Sequence, residues 1–182
     1  GKQIYDEGDR KMTIKVLNPT SEVIREPVAS PARLQTLDGS SIALLDISKP
    51  RGNVFLDALE ELLIQAGADV KRFVKPTFTK PAPVDLRHEI ASQCDAVIEA
   101  LADWGSCTTC SVHDITDLEK RGIPGVIVAT EQFITAAVDQ SEALASSPAC
   151  VFTSHPIQDR TDEEMIAIAN SVFKQIVSSL II

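Results

Sequence analysis

Cys107-Thr108-Thr109-Cys110, with His113 one helical turn further on, is the part of this sequence best spaced for chemistry. A thiol reacts as its thiolate. At the start of a helix it gains from unpaired backbone N–H groups and the positive end of the dipole. The spacing points to a reactive Cys107, with Cys110 resolving or assisting and His113, beside Asp114, transferring protons. On this reading Cys107 is the most reactive thiol and faces an open pocket holding His113 or His155. The same residues also read as C-x2-C-x2-H. Structural zinc wants a fourth ligand, and only His155 is on offer, so no metal is expected. The plain alternative is two small packing cysteines. Cys94 and Cys150 flank apolar runs and are expected to be inert core residues.

These residues need elements to carry them. Ser41–Ile47 (SIALLDI) follows the Asp38-Gly39 turn and predicts a first strand. Asn53 then caps a helix with Phe55, Leu59, Leu62, Leu63 and Ala66 on one face, stopped by Gly67. Residues 69–74 read as a second strand, the proline-rich 75–83 as loop and 84–93 as helix. Residues 95–102 form a third strand and 103–109 a loop. Ser111 and Asp114 have capping-box spacing for a helix that runs to about Arg121. Residues 124–130 and 149–154 make the last strands, with a helix over 133–145 between them. Thr161 and Glu164 open a final helix with Met165, Ile168, Ala169, Val172 and Ile176 on one stripe.

Strict alternation of this kind predicts an α/β fold: a flavodoxin-like three-layer sandwich with a five-stranded parallel sheet of order 2-1-3-4-5. Residues 41–182 make a single domain. Residues 13–40, carrying Pro19, Pro27 and Pro31, read as an extended lead-in arm. Residues 1–12 read as a processed or tag-like start.

In open α/β sheets ligands bind beyond the carboxyl ends of the strands, at the switch in strand order. Here the switch lies between strands 1 and 3. Asp46, Ser48 and Lys49 follow strand 1. Trp104, Gly105, Ser106 and Thr108 follow strand 3, Thr130 and Glu131 end strand 4, and His155 follows strand 5. Lys49 and Asp46 are expected to hold an anionic substrate. The alternative is a solvated loop with Asp46 capping nearby amides.

The net charge of −9 and pI near 4.8 argue against a nucleic-acid partner. No apolar run is long enough for a membrane span. Few, irregular cysteines and no visible secretory signal point to reduced thiols in a cytoplasmic protein. Loop 48–53 has one glycine, few hydroxyls and no nearby aromatic to stack a flavin, so no cofactor is expected. The expected partners are a small-molecule substrate and other chains, in a homo-oligomer or as a subunit of a hetero-oligomer.

At 103–114 (DWGSCTTCSVHD), followed by LEKRGIP at 118–124, the chain resembles the UGSC family. That family is named for a selenocysteine-Gly-Ser-Cys motif and is loosely similar to the selenoprotein B subunits of glycine and betaine reductases. Leu17-Asn18-Pro19-Thr20 and LLDISKP at 44–50 extend the resemblance over about residues 13–180. It implies thiol or selenol redox chemistry. Gly105, Ser106 and Cys107 match the motif by position, while Trp104 stands where selenocysteine or cysteine belongs. Trp104 cannot be a redox nucleophile, so Cys110 would supply any second thiol.

Two functions follow. One is an enzyme using Cys107 on a small molecule, by reductive, lyase or hydrolase chemistry. A variant of it is acid–base catalysis of the Asp/Glu racemase kind, with His155 in place of the second cysteine. The other is a non-catalytic binding or partner subunit of a larger complex.

Overall fold

Parallel strands buried on both faces read as near-continuous apolar runs, and residues 96–102 and 125–130 are buried along their whole length. The computed structural model describes residues 25–182. In it β1 (Ser41–Asp46), β2 (Asp69–Val74), β3 (Ala96–Ala102), β4 (Gly125–Thr130) and β5 (Ala149–Thr153) form one parallel sheet. The strand order is β2-β1-β3-β4-β5, as the alternation predicts. Every residue of β3 and β4 is buried. The register of β3 against β4 shifts between Glu99 and Ala102, where the central strand reaches the carboxyl edge.

Helices α1 (Gly52–Gln65) and α5 (Asp162–Leu180) cover one face. There Phe55, Leu59, Met165, Ala169 and Ile176 pack on Ile42, Leu44, Ile98 and Val126. Helices α2 (Val84–Gln93), α3 (Gly105–Lys120) and α4 (Ile134–Ala143) cover the other. There Ile90, Ile115, Leu118 and Ala137 meet Ala43, Leu45, Val97 and Ile127. The α5 stripe is buried as expected, and its capping box closes at 2.8 and 3.2 Å between Thr161 and Glu164. Among the described residues, no helix is long and apolar enough to cross a membrane.

Residues 25–40 hold no regular element but pack on the domain. The Val28 N–H donates to the Ala145 carbonyl at 2.8 Å, Arg33 pairs with Glu119 at 3.0 Å, and Leu34 bridges to Ile181. The readings of residues 1–12 and of Leu17–Thr20 fall outside the described residues.

Three helix ends differ from expectation. α1 is capped by Arg51, not Asn53, and without a side-chain bond. Ser48 and Arg51 adopt positive φ, which turns the chain into the helix earlier. Ala66 is exposed, and Leu56 and Ala58 complete the buried face instead. α4 stops at Ala143 after a short 3-10 turn (Glu131–Phe133). α3 starts at Gly105, so Ser111 and Asp114 lie in mid-helix and cap nothing. Its cap comes from groups with weak capping propensity. Cys107 Sγ accepts the Trp104 N–H at 3.3 Å, and Thr108 Oγ1 donates to the Trp104 carbonyl at 2.7 Å.

Gly67 shows where a side chain is forbidden. Its φ is +90°, and a Cβ there would lie 2.4 Å from Asp38 Oδ1 and 3.3 Å from Asp38 Cα. Its carbonyl accepts the Gly39 N–H at 2.9 Å, so the two turns are locked together. Gly67→Ala is expected to cost about 1–3 kcal/mol, read as a lower urea midpoint at unchanged slope. A neutral or stabilising outcome would mean the turn relaxes freely.

Candidate active site at the carboxyl edge

A buried charge must be paired, and that requirement shapes the crevice between β1 and β3. Lys49 Nζ lies 2.9 Å from Asp103 Oδ1, with the two side chains only 5% and 4% exposed. The ammonium also sits 4.5 Å from the ring centre of Phe78 and 5.7 Å from that of Trp104. Asp46 Oδ1 accepts the Ser48 N–H at 2.7 Å, and burial pushes the Asp46 carboxyl up. Ser48 Oγ donates to the Lys75 carbonyl.

Lys49 and Asp46 are therefore engaged within the protein; Asp46 caps an amide, the alternative reading of this loop. The expectation of no aromatic near loop 48–53 is corrected, because tertiary packing brings Phe78 and Trp104 to it. At the start of α1 one backbone donor is already taken within the protein. The Ser48 N–H is spent on Asp46, whose carboxylate lies against Gly52, 3.9 Å from where a Cβ would stand.

The open space lies further along the sheet, over the ends of β3, β4 and β5. A cleft of about 360 Å³ is lined by Asp103, Trp104, Gln132, Phe133, His155, Pro156, Gln158 and Asp159. His155 Nδ1 is 3.1 Å from Thr130 Oγ1, and its ring meets Phe133 edge-on at 5.8 Å. Thr130 is fully buried, so it orients His155 from beneath. Trp104 is 60% exposed. Gly105 faces Phe133, where a Cβ would make an ordinary 3.9 Å contact. Ser106 and Glu131 are exposed, Thr108 is buried, and none of the three lines the cleft.

Cys107 does not face this cleft. It is 1% exposed, and its sulfur sits 3.2–3.3 Å from the Trp104 backbone carbonyl and amide. Burial pushes its thiol up. The backbone N–H groups of Trp104 and Asp103 and the charge of Lys49 pull the other way without prevailing. The expected lowering by the helix start is thus outweighed by desolvation. Cys110 is half-buried; burial pushes it up and Lys75 pulls it down. Burial drives Cys150 up to about 11 and raises Cys94, in keeping with inert thiols. His113 is half-buried on α3, with Nδ1 unpartnered among the described residues, and does not line the cleft. No group of three or more metal-ligating side chains is gathered among the described residues.

The sequence reading missed a buried cluster under α3. Lys75 Nζ lies 2.7 Å from Asp114 Oδ2 and 3.4 Å from Glu99 Oε1, with exposures of 1%, 0% and 0%. Asp114 Oδ1 accepts the Ala82 N–H at 2.8 Å, so Asp114 holds both ends of loop 75–83. The available signal was Glu99 itself, a lone carboxylate inside the apolar run AVIEALA.

A model described as the UGSC family matches residues 15–182. No curated protein matches the chain. Among solved structures, the diflavin flavoprotein A3 from Nostoc sp. is similar at 10% identity and a TM-score of 0.39, covering 78% of this chain and 96% of that one.

Proposed function

This chain belongs to the UGSC family, and from that premise we propose that it is an enzyme acting on a small molecule held over the ends of β3, β4 and β5. Cys107 is the reacting thiol, Cys110 the second thiol and His155 the proton-transfer group. The observation that carries this reading is the double role of Trp104. Its residue lines the cleft, while its backbone amide holds Cys107 Sγ at 3.3 Å. A ligand that draws Trp104 aside uncovers the sulfur. The thiol stays neutral and shielded until then, which suits reductive, lyase or hydrolase chemistry. Asp103 already neutralises Lys49, so the reading no longer leans on an anionic substrate. It asks for a planar or apolar part against Trp104 and Phe133 and a hydrogen-bonding group for His155.

Limiting iodoacetamide near pH 7, read by peptide mass, tests this. In the native protein Cys110 is expected to label before Cys107, since it is the better exposed. Trp104→Ala should speed labelling of Cys107 by roughly tenfold or more, because reactivity follows access and thiolate fraction. If Trp104→Ala leaves Cys107 protected, or Cys107→Ser retains native turnover, the reading fails.

A second reading is supported by one feature. Trp104 stands at the motif's redox position with its side chain exposed and a covered thiol behind it. A partner subunit would use that indole as a contact surface. It would co-purify with a second chain, lose it on Trp104→Ala, and be indifferent to Cys107→Ser.

A further inference from the structure

The cleft over the ends of β3, β4 and β5 offers a ligand acceptors and aromatic faces but no positive charge. Its polar lining is two carboxylates, Asp103 and Asp159, two carboxamides, Gln132 and Gln158, and the imidazole of His155. Two cations touch this lining without joining it. Lys49 is shut in by Asp103, Phe78 and Trp104. Arg160 is spent on the Pro156 carbonyl at 2.8 Å and the Ser154 hydroxyl at 3.2 Å. An anion placed here would meet carboxylates at contact range, with both counter-charges further off.

The acceptors of this lining are also unspent. Asp159 is exposed and enters no ion pair among the described residues. Asp103 is buried, yet its Oδ1 accepts no hydrogen bond among the described residues, because Lys49 approaches at 2.9 Å outside hydrogen-bonding geometry. A buried carboxylate in a cleft wall that still lacks a donor is costly until something supplies one. Thr130 engages His155 Nδ1, so Nε2 is the ring nitrogen left for a ligand. The Trp104 ring already draws one ammonium, Lys49, to 5.7 Å from its centre, and the residue is still mostly exposed.

We propose that this cleft takes a small planar cation that carries its charge on N–H groups: an amidinium, a guanidinium or a protonated amino-heterocycle. The inference rests on the reading of the cleft as the substrate site and names the ligand class of that site. A planar fork of N–H donors matches a carboxylate with two parallel hydrogen bonds. Its flat face lies against the indole of Trp104 and the ring of Phe133. The volume of about 360 Å³ is at the small end for ligand cavities and suits one ring or two fused rings. This class is opposite in charge to the anion expected from Lys49 and Asp46, both of which are engaged in the β1–β3 crevice.

Trp104 is the only tryptophan in the chain, so its fluorescence reports the cleft directly. Benzamidine, benzamide and benzoate share one ring and differ in charge and donors. Each is titrated into the full chain at low ionic strength. Benzamidine should change the emission saturably and bind roughly tenfold or more tighter than benzoate, with benzamide between them. Asp159→Asn should shrink that gap by about two- to fivefold, and added salt should shrink it too. Asp159 is exposed, so the variant should keep the wild-type urea midpoint. Benzoate binding as tightly as benzamidine, no saturable change with benzamidine, or a gap unmoved by Asp159→Asn overturns the proposal. None of these readouts uses a thiol or turnover. Native turnover in Cys107→Ser would remove the functional reading and leave the charge preference standing. A preference for benzoate, with Cys107 still uncovered by Trp104→Ala, would do the reverse.

Discussion

Lys75→Met should destabilise the protein by about 3–5 kcal/mol, the usual cost of removing one partner from a buried ion pair. Losing a hydrogen bond alone would cost about 1–3 kcal/mol. The larger figure applies because Lys75 is the only cation in contact with two buried carboxylates among the described residues. Methionine fills similar volume, so the effect is electrostatic rather than a cavity. Asp114 would keep only the Ala82 N–H, and one end of loop 75–83 would come free. Urea denaturation at pH 7 measures the loss, and limited proteolysis should find new cleavage within 75–83. A loss below about 1 kcal/mol would mean that water reaches the cluster and replaces the ammonium.

Stability should also fall as the pH rises, with Glu99 as a main source. Burial first, and the neighbouring Asp114 second, push the Glu99 carboxyl well above its ordinary 4.5, against the opposing pull of Lys75. From 4.5 upward, the folded state therefore holds a proton that the unfolded state has released. The folded state binds more protons there, so linkage makes stability decline with pH, by at most about 1.4 kcal/mol per unit from this group. Below 4.5 both states are protonated and the contribution is fully present. Above the folded value it is lost. Asp46, also raised by burial, adds a trend of the same sign that begins at its ordinary 3.8. Glu99→Gln isolates the larger part, because glutamine mimics the protonated acid. The variant should match wild type near pH 4.5 and gain on it as the pH rises above that in paired urea titrations. Parallel curves would mean that Glu99 does not hold its proton in the fold.

The sheet was legible because burial on both faces leaves a near-continuous apolar run between turn residues; β4 is such a run, and β3 is one broken only at Glu99. α5 was legible because its stripe and Thr161–Glu164 cap are local in sequence. The start of α3 was not. Its cap is made by the sulfur of Cys107 and the backbone of Trp104, and neither side chain has a marked capping preference. The same expectation placed Cys107 in an open loop, when it is buried in the first turn of α3 against the Trp104 backbone. The Lys49–Asp103 and Lys75–Glu99–Asp114 contacts join residues from different strand ends. Sequence tells that Glu99 needs a partner but not which one. His155 and Trp104 were placed at the right edge by topology. The filling of the β1–β3 crevice came from Lys49 with Asp103 and Phe78, residues that no local pattern relates.

The packing of α1 on α5 has a consequence for how the chain is made. A ribosome delivers α1 early and α5 after every other element described here. The sheet strands β1 to β3 cover α1 from one side early, but the flank of α1 that meets α5 stays open while most of the chain is translated. The strap at Leu34, whose N–H donates to the Leu180 carbonyl at 2.8 Å, must wait as long. The nascent chain can pair its strands in order, β1 with β2 and then β3, but it carries an uncovered greasy flank throughout. Chains arrested before Asp162 should be captured by holdase chaperones, and chains extended through Leu180 should escape them.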